Sequence, residues 1–118
     1  MTPTPWLDDA VSLVDAYRSK TISPLEALEE SLAALASSDL NAVAYLDTEA
    51  ARAAALTADT SLPFGGVPMG IKELEDVNGW PQTEASLVFA DRKASNDSIQ
   101  VQRLRDAGAV IAAQTTAS

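Results

Sequence analysis

Apolar positions in the first half of the chain recur at helical steps. Leu7, Val11, Val14 and Tyr17 follow at intervals of four, three and three, which predicts one helix face, with Asp8 and Asp9 at its favourable N-terminal end. Leu25, Leu28, Leu32 and Leu35 form a second stripe of the same period. Its start is marked locally: Ser23 can cap, Pro24 fits the first helical position, and Glu26 completes a Ser-x-x-Glu capping box. Ser37-Ser38-Asp39 ends that helix. Ala42 to Leu46 is short and apolar and predicts a brief strand, and Asp47 then opens an alanine-rich third helix to about Asp59. All three helices read as packing elements.

The pattern breaks at Leu62. Pro63, Gly65, Gly66, Pro68, Gly70, Gly79 and Pro81 punctuate a shaped loop and short-strand region, the kind of segment on which function tends to sit. Asp97-Ser98-Ile99-Gln100 then offers a second capping box for a helix carrying Val101, Leu104 and Ala107, closed by Gly108. Ala109 to Ala113 follows as a buried strand. Helix, glycine turn and apolar strand make an α/β unit, and a buried strand calls for helices on both faces. The expected fold class is α/β, with a helical region at 1–62 and an α/β region at 63–118.

Composition narrows the chemistry. Across 118 residues there are 22 alanines and 5% aromatics, so the core is built of small aliphatic side chains. Cysteine and histidine are both absent. That excludes a disulfide framework, a Cys/His metal site, a cysteine nucleophile and a histidine base. The net charge of −9 repels phosphate backbones, and it is concentrated at 1–62, where ten acids face three bases. No apolar run is long enough to span a bilayer, and Met1 to Trp6 lacks a secretory pattern. The expected address is the cytoplasm, with no nucleic-acid or membrane partner.

Proton chemistry then falls to lysine, carboxylates or hydroxyls. Lys72, one of three lysines, ends the run Val67-Pro68-Met69-Gly70-Ile71. An apolar site would strip its solvation and favour the neutral amine, a base. A lysine at a strand end, paired with Glu73 or Glu75 and inert, fits the same residues. Gly65 to Gly70 matches the glycine spacing of a phosphate-binding P-loop, but Ile71 intervenes before Lys72 and Glu73 replaces the hydroxyl that would hold magnesium. Pro68 also removes an amide from the cradle, so that reading fails. Glu73, Glu75 and Asp76 form only a generic carboxylate cluster, and Thr83 and Ser86 suit the turn after Gly79-Trp80-Pro81.

Phe64-Gly65-Gly66-Val67-Pro68-Met69-Gly70-Ile71-Lys72-Glu73 resembles the lysine segment of the amidase signature family. Val77-Asn78-Gly79-Trp80-Pro81-Gln82-Thr83, followed by Ala85-Ser86, is similar to that family's Gly-x-Pro-Thr turn. Asp97 to Val101 and Arg103 to Ile111 resemble the helix and strand that follow it. Thr21-Ile22-Ser23-Pro24-Leu25-Glu26-Ala27 looks like its N-terminal region. The resemblance covers nearly the whole chain.

It implies a Ser–cis-Ser–Lys triad that hydrolyses carboxylic amides without histidine or cofactor, with Lys72 as general base toward a small-molecule amide. Glu73 stands where aspartate is commoner, and Ala113-Gln114-Thr115-Thr116 where many members show Gly-Lys-Thr-Asn. Nothing like the family's Gly-Gly-Ser-Ser-Gly-Gly segment occurs in the 118 residues. On this reading the chain is an N-terminal piece, inactive alone, whose unpaired strand edges invite association. One component of a tRNA-dependent amidotransferase would share the chemistry. The alternative is a small acidic non-catalytic helical interaction module, or a gene remnant, in which the glycine loop is only a turn.

Overall fold

A computed structural model describes residues 7–117; Met1 to Trp6, read above for a secretory pattern, and Ser118 lie outside the described residues. The chain runs through α1 (Ala10–Arg18), α2 (Pro24–Ser37), β1 (Val43–Leu46), α3 (Thr48–Leu56), β2 (Pro68–Lys72), a 3-10 turn at Leu87–Phe89, α4 (Ile99–Asp106) and β3 (Val110–Thr115).

Local signals set most helix starts. The Ser23 hydroxyl accepts from the Glu26 amide, and the Glu26 carboxylate accepts from the Ser23 amide, closing the expected box. Asp47 caps α3 by accepting from the Ala50 amide. Two expectations are corrected. Helix α1 starts only at Ala10, after the Asp9 cap, so Leu7 falls outside it and is 73% exposed. Its packed face is Ala10, Leu13, Val14 and Tyr17, the i, i+3, i+4, i+7 set, and Val11 lies beside that face in solvent. In α4 the cap is Ser98, which accepts from the Val101 amide, and Asp97 is used elsewhere.

The three strands form one mixed sheet in the order β1-β3-β2, with β3 antiparallel to β1 and parallel to β2. Alternation gives β3 two apolar faces. Val110 and Ala112 pack with Leu28 and Leu32 of α2 and Ala51 and Ala55 of α3. Ile111 packs with Ile71, Val77, Trp80 and Val101 on the other side. The alanines of α3 allow that helix to sit close against the strand. Leu28 is fully buried between these elements, a placement that stabilises by about 1.5–3 kcal/mol. A third cluster of Val14, Tyr17, Ile22, Ala27 and Val67 seats α1 against α2 and the entrance to β2.

One irregularity changes which way β3 points. The parallel register steps from Met69–Ile111 to Gly70–Ala113, which inserts one extra residue in β3. Strict alternation would place Gln114 with Val110 and Ala112. Instead its side-chain amide donates to the Pro81 carbonyl at 3.1 Å, next to the tilted Tyr45–Trp80 ring pair, whose centroids are 5.3 Å apart. That bond satisfies the buried amide and ties the loop after β2 to the central strand.

Candidate active site

The approach to Lys72 is built from backbone contacts that only glycine permits. The Phe64 amide donates to the Ala107 carbonyl at 2.8 Å, and the Gly66 amide to the Gly108 carbonyl at 2.9 Å. A Cβ on Gly65 would stand 2.0 Å from the Asp59 carbonyl oxygen, and one on Gly108 2.7 Å from the Gly65 Cα. Gly66, at φ +91°, accepts a hydrogen bond from the buried Tyr17 hydroxyl through its carbonyl at 2.9 Å. Burial of that phenol pushes its pKa well above the ordinary tyrosine range. The Val67 carbonyl then accepts from the Val110 amide at 2.9 Å as the two parallel strands come together.

From there β2 runs out to Lys72, which lies opposite Thr115 of β3. Ile71 takes the buried position beneath α4, so alternation turns Lys72 outward, and its side chain is exposed. An apolar enclosure for this lysine is not what the chain itself builds. The expected ion pairs are not formed either: among the described residues the Lys72 ammonium has no carboxylate partner. The carboxylate of Glu73 accepts from the Ala117 amide at 2.7 Å, while its own amide donates to the Thr115 carbonyl at 2.8 Å. The strand ends at Lys72 and the Glu75 amide closes a turn on the Lys72 carbonyl, so Glu73 and Glu75 do not share a strand face. Among the described residues no cluster of acidic side chains could hold a metal ion. Gly70 lies within β2, which leaves no glycine cradle for phosphate.

The long connection from β2 to α4 is anchored at its base. Asp97 accepts from the Asn78 amide at 2.8 Å with one oxygen and pairs with the Arg105 guanidinium at 2.9 Å with the other. The Ser98 amide donates to the Asp76 carbonyl at 2.9 Å, and the Gly79 amide to the Ala94 carbonyl at 2.9 Å. The Ser86 hydroxyl satisfies a backbone group, accepting from the Val88 amide, while Thr83 enters the turn through its backbone carbonyl, which accepts from the Ser86 amide. Glu84 and Ala85 both adopt positive φ, at 51° and 59°, in turning this loop. On the α2 side of the sheet, an apolar groove of about 430 Å3 is lined by Leu32, Leu35, Val43, Met69, Gly70 and Ala112, among others. Lys72 shares the Gly70 face of β2 and stands beyond the wall of that groove.

The roles of Tyr17, Asp97 and Gln114 carry no sequence motif. Each depends on a partner 19 or more residues away.

The Amidase family model matches residues 26–118. The chain belongs to the amidase family. It is 40% identical over 98 residues to a glutamyl-tRNA(Gln) amidotransferase subunit of Methylacidiphilum infernorum, a match spanning 81% of this chain and 20% of that protein. An amidase of Pseudomonas putida is 34% identical over 106 residues, spanning 83% of this chain and 22% of that one. Among solved structures, 6-aminohexanoate cyclic dimer hydrolase in complex with substrate superposes with a TM-score of 0.84 at 29% identity, covering 94% of this chain and 23% of that one. The chain thus spans about a fifth of the length of the curated relatives it matches. The family match includes Lys72 and the whole Gly65–Gly108 contact region. Among the described residues no helix is long and apolar enough to cross a membrane.

Proposed function

We propose that this amidase-family chain carries the general base of an amide hydrolase, and that the base is Lys72. The carrying observation is its place: the last residue of a parallel strand, beside a central strand buried on both faces, within the family match. In α/β sheets, ligands gather outside the carboxyl ends of such strands. The 6-aminohexanoate cyclic dimer hydrolase and amidase relatives support C–N hydrolysis as the reaction class.

In the mechanism proposed, the Lys72 amine takes a proton from a bridging serine. That serine takes the proton of the nucleophilic serine as the latter attacks the amide carbonyl. Backbone amides hold the resulting oxyanion. The C–N bond then breaks, the amine leaves with the proton returned through the same relay, and water releases the acid from the acyl-enzyme. Both serines belong to a Gly/Ser-rich segment that the 118-residue chain does not contain, and no cofactor enters the scheme. The free edges of β1 and β2 are where further strands, or second copies of the chain, would add. The substrate is a small-molecule amide, and the expected compartment is the cytoplasm.

The test is Lys72→Ala in the complete gene product. Amide hydrolysis should fall by about 10²–10⁴-fold, the range for loss of a general base. The fold should persist, because Lys72 is exposed and holds no ion pair among the described residues. Retained activity sinks the assignment. The purified 118-residue chain should not turn over an aryl amide; Lys72-dependent turnover by it would show that no further segment is needed. The similarity to a glutamyl-tRNA(Gln) amidotransferase component favours a second reading of the same lysine, in a multisubunit enzyme. The acidic chain would leave tRNA contact to its partners, and activity would then require them.

A further inference from the structure

We infer that Tyr17 is a positioning residue for Lys72: its hydroxyl clamps the point at which the lysine strand enters the sheet. The inference rests on the reading of Lys72 given above. Tyr17 is 2% exposed and lies in α1, 49 residues from the carbonyl to which it donates. That carbonyl belongs to Gly66, just ahead of Val67, whose own carbonyl accepts from Val110 as β2 and β3 come together.

Gly66 is held on opposite sides of its backbone. Its amide donates to the Gly108 carbonyl at 2.9 Å, and its carbonyl accepts from Tyr17 at 2.9 Å. Its φ of +91° and the closeness of Pro24 and Tyr17 leave no room for a side chain; a Cβ would stand 2.8 Å from the Pro24 Cγ and 3.1 Å from the Tyr17 Cε2. The tyrosine ring thus fills the space against the loop while its hydroxyl fixes the peptide orientation.

The position of Lys72 follows from this point. The strand begins two residues after Gly66 and ends at the lysine, and side chains alternate faces along it. A slip by one residue would exchange the buried Ile71 with the exposed Lys72. The far end of the strand is held through Glu73, whose amide donates to the Thr115 carbonyl at 2.8 Å and whose carboxylate accepts from the Ala117 amide at 2.7 Å. The Tyr17 hydrogen bond acts at the opposite end, so the entry it holds and the Glu73 bonds together decide where the ammonium arrives. A phenylalanine would keep the packing and lose only the hydrogen bond, which makes Tyr17→Phe the informative change.

In the complete gene product, Tyr17→Phe should lower kcat for amide hydrolysis by about five- to tenfold, as expected from one lost buried hydrogen bond, with KM unchanged. Ala51→Gly, which loosens α3 within the α2–α3 cluster away from Tyr17 and from the groove beside Lys72, should leave kcat in place. An unchanged kcat in Tyr17→Phe, or an equal fall in both variants, overturns the inference. Amide hydrogen exchange supplies a readout independent of catalysis. Tyr17→Phe should speed exchange at the Val110 and Glu73 amides, which bond across the two ends of β2, by a similar factor while α3 amides keep their rates. A uniform change, or none, overturns it. Should Lys72→Ala prove silent, the amidase reading fails by itself. The clamp on β2 is then decided by the exchange rates alone.

Discussion

Gly65→Ala is the substitution whose cost the structure fixes most directly. Gly65 does not lie in the left-handed backbone region, so alanine meets no conformational penalty there; the penalty is steric. The new Cβ would stand 2.0 Å from the Asp59 carbonyl oxygen, 2.7 Å from the Thr60 Cα and 2.8 Å from the Asp59 carbonyl carbon, whereas ordinary contact begins at 3.4 Å. All three atoms are backbone, so no side chain can swing aside. Relief requires opening the 59–65 turn so that Gly65 and the Asp59–Thr60 backbone separate, which strains the Leu62–Asp59 and Gly65–Leu62 turn bonds and, through the neighbours of Gly65, the Phe64–Ala107 and Gly66–Gly108 bonds. Overpacking of this kind costs about 1–3 kcal/mol, and each weakened backbone bond adds about 1 kcal/mol. With a urea slope of about 2 kcal/mol per molar, a loss of about 3 kcal/mol lowers the unfolding midpoint by about 1.5 M. Gly79→Ala is the control. Its φ is +82° but nothing lies within 4 Å of a Cβ there, so only the left-handed penalty of about 1–2 kcal/mol applies. Paired urea titrations of the two variants, followed by tryptophan fluorescence, should place Gly65→Ala clearly below Gly79→Ala. A Gly65→Ala midpoint at or above that of Gly79→Ala would refute the close backbone contact on which the site's geometry depends.

Two further outcomes follow from the hydrogen bonds of Asp97 and the burial of Tyr17. Asp97→Ala removes both the acceptor of the Asn78 amide and the partner of Arg105; stability should fall by about 1.5–3 kcal/mol, with Asn78 amide exchange accelerated, while Asp97→Asn, which keeps an acceptor, should cost less. For Tyr17, burial raises the folded-state pKa, so between the unperturbed value of 10.0 and the folded value the unfolded chain has already lost the proton that the native chain keeps. The stabilisation is therefore complete below pH 10 and declines above it; the phenolate absorbance that Tyr17→Phe removes should appear only with alkaline unfolding, and its appearance in the native state would contradict the burial.

How much of this is legible in the sequence depends on the range of the interaction. The Ser23–Glu26 box and the Asp47 cap are closed within three residues, and both appear where the pattern places them. The strand at Ala109 to Ala113 is legible because its apolar run is too short for a helix and is bounded by Gly108 and by the polar Gln114-Thr115-Thr116. Leu7 and Val11 show the limit of periodicity: a helix face is defined only once the cap is known, and Asp9 supplies it, which leaves Leu7 outside. Gln114 is unreadable because its direction is set by a register step against β2, far away in the chain. Lys72 stands out through its motif. Its exposure does not, since that depends on which neighbour, Ile71 or Lys72, the sheet turns inward.

The strand order has a consequence for synthesis. β3 is the central strand and the last of the three to be made, while β1 and β2 lie on either side of it without touching each other. A nascent chain emerging from its N-terminus can pair α2 with α3, which are close in sequence, but neither earlier strand has a partner until residue 110 and beyond are made. For roughly 40 residues of elongation, several seconds at about 5–20 residues per second, β2 is an open edge carrying Met69 and Ile71. With ten acids and three bases in the first 62 residues, unfinished copies carry like charge at that stage, which opposes their association while the sheet waits for its middle.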